Sequence, residues 1–126
     1  MREIKFRAWQ EDAVEKDLRF WTWKEMLEHD LNVMVNNPKY KIMQYTGLTD
    51  KNGVEIYEGD ILSTDLDRPY LIVEFRNGAF MFQCHDNGKD YYDFMATTGE
   101  NSNFTKYHEV IGNVYENSEL LEDEVR

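Results

Sequence analysis

The N-terminal segment REIKFRAW alternates: Ile4, Phe6 and Ala8 fall on one side, and Glu3, Lys5, Arg7 and Trp9 on the other. A period of two predicts a strand with one face buried. The polar run QEDAVEKD reads as a connection and LRFW as a strand returning beside the first. The pattern then changes period. Thr22 is suited to cap a helix, Glu25 completes a capping box, and Trp21 and Met26 stand where a hydrophobic staple places them. Met26, Leu27, Leu31, Met34 and Val35 continue at three- and four-residue spacing, and Asn36-Asn37-Pro38 is a stop signal. This predicts one helix over about residues 23–35 with a single apolar stripe, which serves either as core or as a partner groove.

From Tyr40 onward the period returns to two, punctuated by turns. YKIMQYTG has strand composition, and Asp50-Lys51-Asn52-Gly53 is a turn in which Asp accepts from the backbone two residues on and Gly takes positive φ. VEIY resumes a strand, EGD (58–60) turns tightly, and ILSTD sets off again. YLIVEF and FMFQC flank Asn77-Gly78, the dipeptide favoured by a two-residue hairpin turn. A polar turn at 85–90, the strand-like YYDFM and a polar loop at 96–106 follow. EVIGNVY closes the sheet, with Gly112 marking a bend or bulge. The expected fold is therefore mainly β, of the α+β class. Residues 1–42 form a strand-plus-helix subdomain, 43–117 an SH3-like small β-barrel, and 118–126 an acidic C-terminal tail with a short helix. The barrel is suggested by the Gly-Asp turn ahead of an apolar strand, a likeness of fold that carries no function.

Charge sharpens this division. The chain of 126 residues has a net charge of −11, yet residues 1–42 hold eight Lys/Arg and eight Asp/Glu. The whole imbalance lies in residues 43–126, where six bases face seventeen acids. Such a surface favours solubility, repels polyphosphate and suits a basic partner. One cysteine, Cys84, fits a reducing compartment. No stretch reaches the roughly 18 apolar residues of a membrane span, and MREIKFRAWQ lacks the apolar core of a secretory signal. The expectation is a cytoplasmic protein that does not engage membranes.

Three blocks together resemble the YopX family, carried mainly by bacteriophages and prophages: REIKFRAW (2–9), MQYTGLTDKNGVEIYEGDI (43–61) and VIGNVYENSELLE (110–122). They occur in the family's order and touch both ends of the chain. Residues 10–42 and 63–109 match more loosely. The resemblance implies a β-rich fold with an N-terminal helical part, an SH3-like barrel and a phage-associated origin. It implies no reaction and no catalytic residue.

The search for chemistry is correspondingly sparse. Cys84 and His85 are neighbours, but successive strand residues point to opposite faces, so a thiolate–imidazole pair is disfavoured and a structural Cys beside a loop His favoured. His85, Asp86, Asp90 and Asp93 crowd nine residues without the spacing of a calcium loop. The three histidines, 29, 85 and 108, lack the spacing of a zinc helix. No phosphate-cradling or nucleophile-elbow motif occurs. Arg2, Lys5, Arg7 and Arg19 with Trp9 form the best basic-aromatic patch, too sparse for the phosphate contacts that dominate duplex binding. No catalytic, cofactor-binding or metal-ligating residue is assigned, and no cofactor is expected. The expected role is a non-enzymatic interaction module that self-associates or binds a basic host or phage protein. Self-association is suggested by the charge asymmetry and by Trp and Met side chains read as exposed on the helix. Alternatives are an acidic mimic of nucleic acid and a small metal-dependent enzyme.

Overall fold

In the computed structural model, which describes residues 3–11, 20–63, 70–76, 78–84, 91–93 and 108–122, the alternating N-terminal segment forms strand β1 (Phe6–Gln10). The returning strand β2 (Phe20–Trp21) pairs antiparallel with it, Ala8 opposite Trp21 and Trp9 opposite Phe20. Strand β3 (Tyr40–Thr49) lies on the other side of β1, again antiparallel, with Arg7 opposite Met43 and Trp9 opposite Lys41. The chain divides into two compact units, Met1–Tyr45 and Thr46–Arg126, and the division falls inside β3.

The first unit departs from its hydrophobic pattern in an instructive way. The single helix expected over 23–35 is two helices, α1 (Trp23–Leu27) and α2 (Leu31–Asn36). The capping box is present: Thr22 Oγ1 accepts from Glu25 N at 3.2 Å, and Glu25 Oε1 accepts from Thr22 N at 2.8 Å. Helix α1 nevertheless stops at Glu28, because Asp30 caps a second start, its Oδ1 accepting from Val33 N at 3.2 Å. Aspartate competes with helix continuation by taking a nearby backbone N–H, and here that competition prevails. The break also resets the phase of the stripe. Met26 and Met34, eight residues apart, would diverge by about 80° in one straight helix; in two they are both buried, at 1% and 0% exposure. Leu27 and Val35, expected in the core, are left 54% and 58% exposed. The expectation of exposed methionines is thus corrected.

Ala8, Met26 and Met34 centre the core of this unit, with Phe6, Trp21, Trp23, Leu31, Tyr40 and Ile42 packed around them. Strand β1 does not keep one wet face. Ala8 and Trp9, on opposite sides, are both buried, because the helix-lined core takes Ala8 and Trp9 meets Phe20 edge-on at 5.1 Å. Ile4 lies outside the strand and is exposed.

In the second unit, β4 (Glu55–Tyr57) follows beside the end of β3, joined by Asp50 N to Val54 O at 2.8 Å and Thr46 Oγ1 to Ile56 O at 2.8 Å. Strands β5 (Asp60–Ser63), β6 (Leu71–Arg76), β7 (Ala79–Cys84) and β8 (Tyr91–Asp93) form an antiparallel meander, and β9 (Glu109–Asn113) returns beside β5. The five-stranded order is β8-β7-β6-β5-β9. Its core is Ile56, Leu62, Leu71, Val73, Phe80 and Phe82. Strands β6 and β7 pair from Leu71–Cys84 to Arg76–Ala79, and Gly78, just before β7, takes φ +82°; Asn77 lies outside the described residues. The register shifts between Ile61 and Leu62, opposite Gly112 and Val110, which makes Ile111 the extra residue of a bulge. A short helix α3 (Glu119–Glu122) stands in the acidic tail. The fold is mainly β, with two antiparallel sheets and short helices. Of the expected barrel, the described residues give an open sheet, with β8 and β9 at its edges. The turn expected at 85–90 and the loop at 96–106 lie outside the described residues.

Candidate functional site

The residues that looked most specific in the sequence converge on β9. Asp50 is buried, and its carboxylate accepts three backbone N–H groups. Oδ1 takes Asn52 N at 2.8 Å and Val54 N at 2.9 Å, closing the local turn. Oδ2 takes Val110 N at 2.9 Å, sixty residues away. Lys51 N donates to His108 O at 3.0 Å and Asn52 Nδ2 to Glu109 Oε2 at 3.2 Å. Gly53 takes φ +83°, as the fourth position of the turn requires, and donates to Asp50 O.

The second turn repeats the logic at the other end of β9. Asp60 is buried, and its Oδ2 accepts from Tyr57 N at 2.7 Å. Gly59 donates to Val73 O at 2.8 Å and accepts from Val114 N at 2.9 Å. Beside it, Asn113 Oδ1 accepts from Tyr115 N and Glu116 N, while Asn113 N donates to Asn117 Oδ1 at 3.1 Å. Asn117 also explains Gly112, since a Cβ there would stand 2.5 Å from Asn117 Oδ1. These polar side chains are satisfied by backbone groups. A buried carboxylate that accepts backbone N–H groups, three at Asp50 and Tyr57 N at Asp60, is aimed inward and serves geometry.

The basic-aromatic patch is partly assembled. Arg7 and Trp9 share one side of β1, as alternation requires, and Lys5 stands just before the strand. Lys5 Nζ lies 4.9 Å from the ring centre of Tyr45 and pairs with Glu3 at 3.6 Å; Arg7 Cζ lies 5.2 Å from that of Phe20. These cations lean on rings of the same chain. Arg2 and Arg19 lie outside the described residues. Cys84 ends β7 opposite Leu71, and His85, Asp86 and Asp90 are outside the described residues, as are the surroundings of Asp93. Among the described residues, no group of three or more His, Cys, Asp or Glu is placed to hold a metal. No helix among them is long and apolar enough to cross a membrane.

Sequence reasoning saw Asp50 as a local turn residue and missed its reach to Val110. Nothing local signals a partner sixty positions on. It also missed the exposed aliphatics of α1 and α2, because one uninterrupted stripe was assumed.

Two antiparallel sheets, short helices and a polar clamp on the returning strand define the class: a small mainly-β protein whose distinctive residues secure its own strands. The chain belongs to the YopX family, whose model, described as YopX protein, matches residues 5–122. Among solved structures it is similar to the crystal structure of a protein from Enterococcus faecalis, 24% identical, covering 96% of this chain and 99% of that one with a TM-score of 0.58. That likeness shows the fold. Among the curated proteins, none matches the chain.

Proposed function

We propose that this is a phage- or prophage-type protein of the host cytoplasm that acts as a non-enzymatic interaction module, associating with itself or with another protein. The observation that carries the reading is the use made of the family-like blocks. Asp50, Asp60 and Asn113 are turned inward onto backbone N–H groups. What the described surface offers instead is a set of exposed aliphatic and aromatic side chains. The strand order of the second unit, a four-strand meander with the fifth strand returning beside the first, supports an SH3-like arrangement there. Small sheets of this kind commonly serve as platforms for recognition, an analogy of fold only.

A second reading draws on the charge ledger. With the whole −11 in residues 43–126, the second unit suits a basic partner, such as a nucleic-acid-binding host or phage protein whose site it would occupy. Capture of the tagged full chain under native conditions, with identification of the bound proteins and metal analysis of the eluate, separates the readings. Recovery of the chain's own untagged copies supports self-association. A single basic nucleic-acid-binding protein, displaced by duplex DNA, supports mimicry. Stoichiometric metal together with hydrolytic turnover would overturn both in favour of an enzyme.

A further inference from the structure

The turn that fastens β9 contains a chemically reactive dipeptide. Asparagine followed by glycine occurs three times, at 52–53, 77–78 and 87–88, and Asn77 and residues 87–88 lie outside the described residues. Asn52 and Gly53 are exposed, and a Cβ at Gly53 would meet nothing within 4 Å, so the Gly53 backbone is uncrowded on that side. It is restrained by the hydrogen bond from Gly53 N to Asp50 O at 3.0 Å. Asn52 itself sits at the centre of the clamp. Its N donates to Asp50 Oδ1 at 2.8 Å and its Nδ2 to Glu109 Oε2 at 3.2 Å, while Asp50 also holds Val54 N and Val110 N, each at 2.9 Å.

We propose that Asn52-Gly53 is a site of spontaneous modification, and that its conversion unfastens β9 in one direction only. Exposed turns open more readily than core strands. Once Gly53 N leaves Asp50 O, it gives its proton to solvent and attacks the side-chain carbonyl carbon of Asn52. The new N–Cγ bond closes a five-membered ring, the Cγ–Nδ2 bond breaks, and Nδ2 departs as ammonia after taking a proton from solvent. Water then opens the cyclic imide at either carbonyl, giving aspartate or, with the chain routed through Cβ, isoaspartate. Thermal lability of asparagine is a general property, and a following glycine, having no Cβ, hinders the ring closure least. Both products damage the clamp. The Nδ2 donor is replaced by a carboxylate facing Glu109, and like charges at that range repel. Isoaspartate also adds a backbone atom between Asn52 N and Val54 N, so Asp50 Oδ1 no longer spans both. The carboxylate then loses the placement from which its other oxygen reaches Val110 N.

This inference is independent of the interaction-module reading, since it concerns the hold on β9 alone. The experiment ages the full chain in mildly alkaline buffer, which favours loss of the Gly53 N proton. Asn52 is followed by peptide mapping in the mass spectrometer, with isoaspartate identified by enzymatic methylation. A sample kept in denaturant gives the rate without the turn. The expected result is conversion at Asn52 in the folded chain, faster as pH rises, and slower than in denaturant because the turn must first open. Amide hydrogen exchange at Val110 should become about tenfold faster or more in the converted chain, through loss of a buried acceptor. Asn52→Gln, aged in parallel, keeps an amide but closes a six-membered ring only slowly, so its Val110 exchange should not change with age; circular dichroism checks that the variant keeps its fold. Absence of conversion in the folded chain, over a period that converts the denatured one, overturns the site. Conversion that leaves Val110 exchange unchanged overturns its effect on β9. Equal acceleration in aged Asn52→Gln assigns the change to another position and overturns the role of Asn52.

Discussion

Asp50 does two things with one carboxylate: it closes the turn it begins and it holds a strand sixty residues further on. Replacing it with Asn keeps the shape and one acceptor. The two donors on Oδ1 stay satisfied by the amide oxygen, but Val110 N then faces an NH2 group. A buried donor left without an acceptor costs about 1–3 kcal/mol, so Asp50→Asn should lower stability by that amount in chemical denaturation. An unchanged midpoint would mean that the link to β9 contributes nothing. Gly78 poses a purer backbone question, since a Cβ there meets nothing within 4 Å. Only its φ of +82° opposes a side chain. Gly78→Val should destabilise by about 1–3 kcal/mol, whereas Gly78→Asn, which tolerates that conformation, should cost much less. Equal losses in the two variants would show that the turn does not set the cost.

Between elements, the informative feature is the break between α1 and α2. The apolar spacing from Met26 to Val35 is good enough to suggest one helix, and the local chemistry of Asp30 divides it. The two alternatives predict opposite signs for one substitution. In a continuous helix, Asp30→Ala removes a poor helix former and stabilises. As the start of α2, Asp30 accepts from Val33 N, and its loss should cost about 0.5–2 kcal/mol. A raised melting temperature for Asp30→Ala would contradict the two-helix arrangement. The break matters beyond its own stability, because it buries both methionines and thereby leaves Leu27 and Val35 exposed.

For the molecule as a whole, the uneven charge sets what it can approach. Duplex DNA presents about one negative charge per 1.7 Å, and its binding rests on Lys/Arg contacts that release counterions. Here residues 43–126 repel the duplex. In the first unit, Lys5 and Arg7 lie against Tyr45 and Phe20. The expected outcome of fluorescence anisotropy with labelled duplexes is no binding tighter than about 1 µM at 0.15 M salt, and no rescue on lowering the salt. Tight binding that strengthens at low salt would reveal a basic surface formed by residues outside those described.

The sequence was a good guide to most features whose cause is local. Strands β1, β2 and β3, the capping box, the Asp50 turn, the β6–β7 pairing with Gly78 at positive φ, and the bulge at Gly112 each follow from a few neighbouring residues, through alternation, capping or positive φ. The charge division needs no structure at all. One local feature was overlooked, the Asp30 cap that divides the helical segment, because the apolar spacing runs straight through it. Three others escaped it, and each depends on residues far apart in the chain. Whether Trp9 is wet was settled by Phe20, which reaches it across a strand pair. Which side of the helical segment faces inward was settled by where Met26 and Met34 find Ala8. That the most specific-looking block clamps β9 follows from a hydrogen bond between Asp50 and Val110. Periodicity states which residues share a face of one element. It cannot state what comes to cover that face, because burial is a property of pairs of elements brought together by the fold.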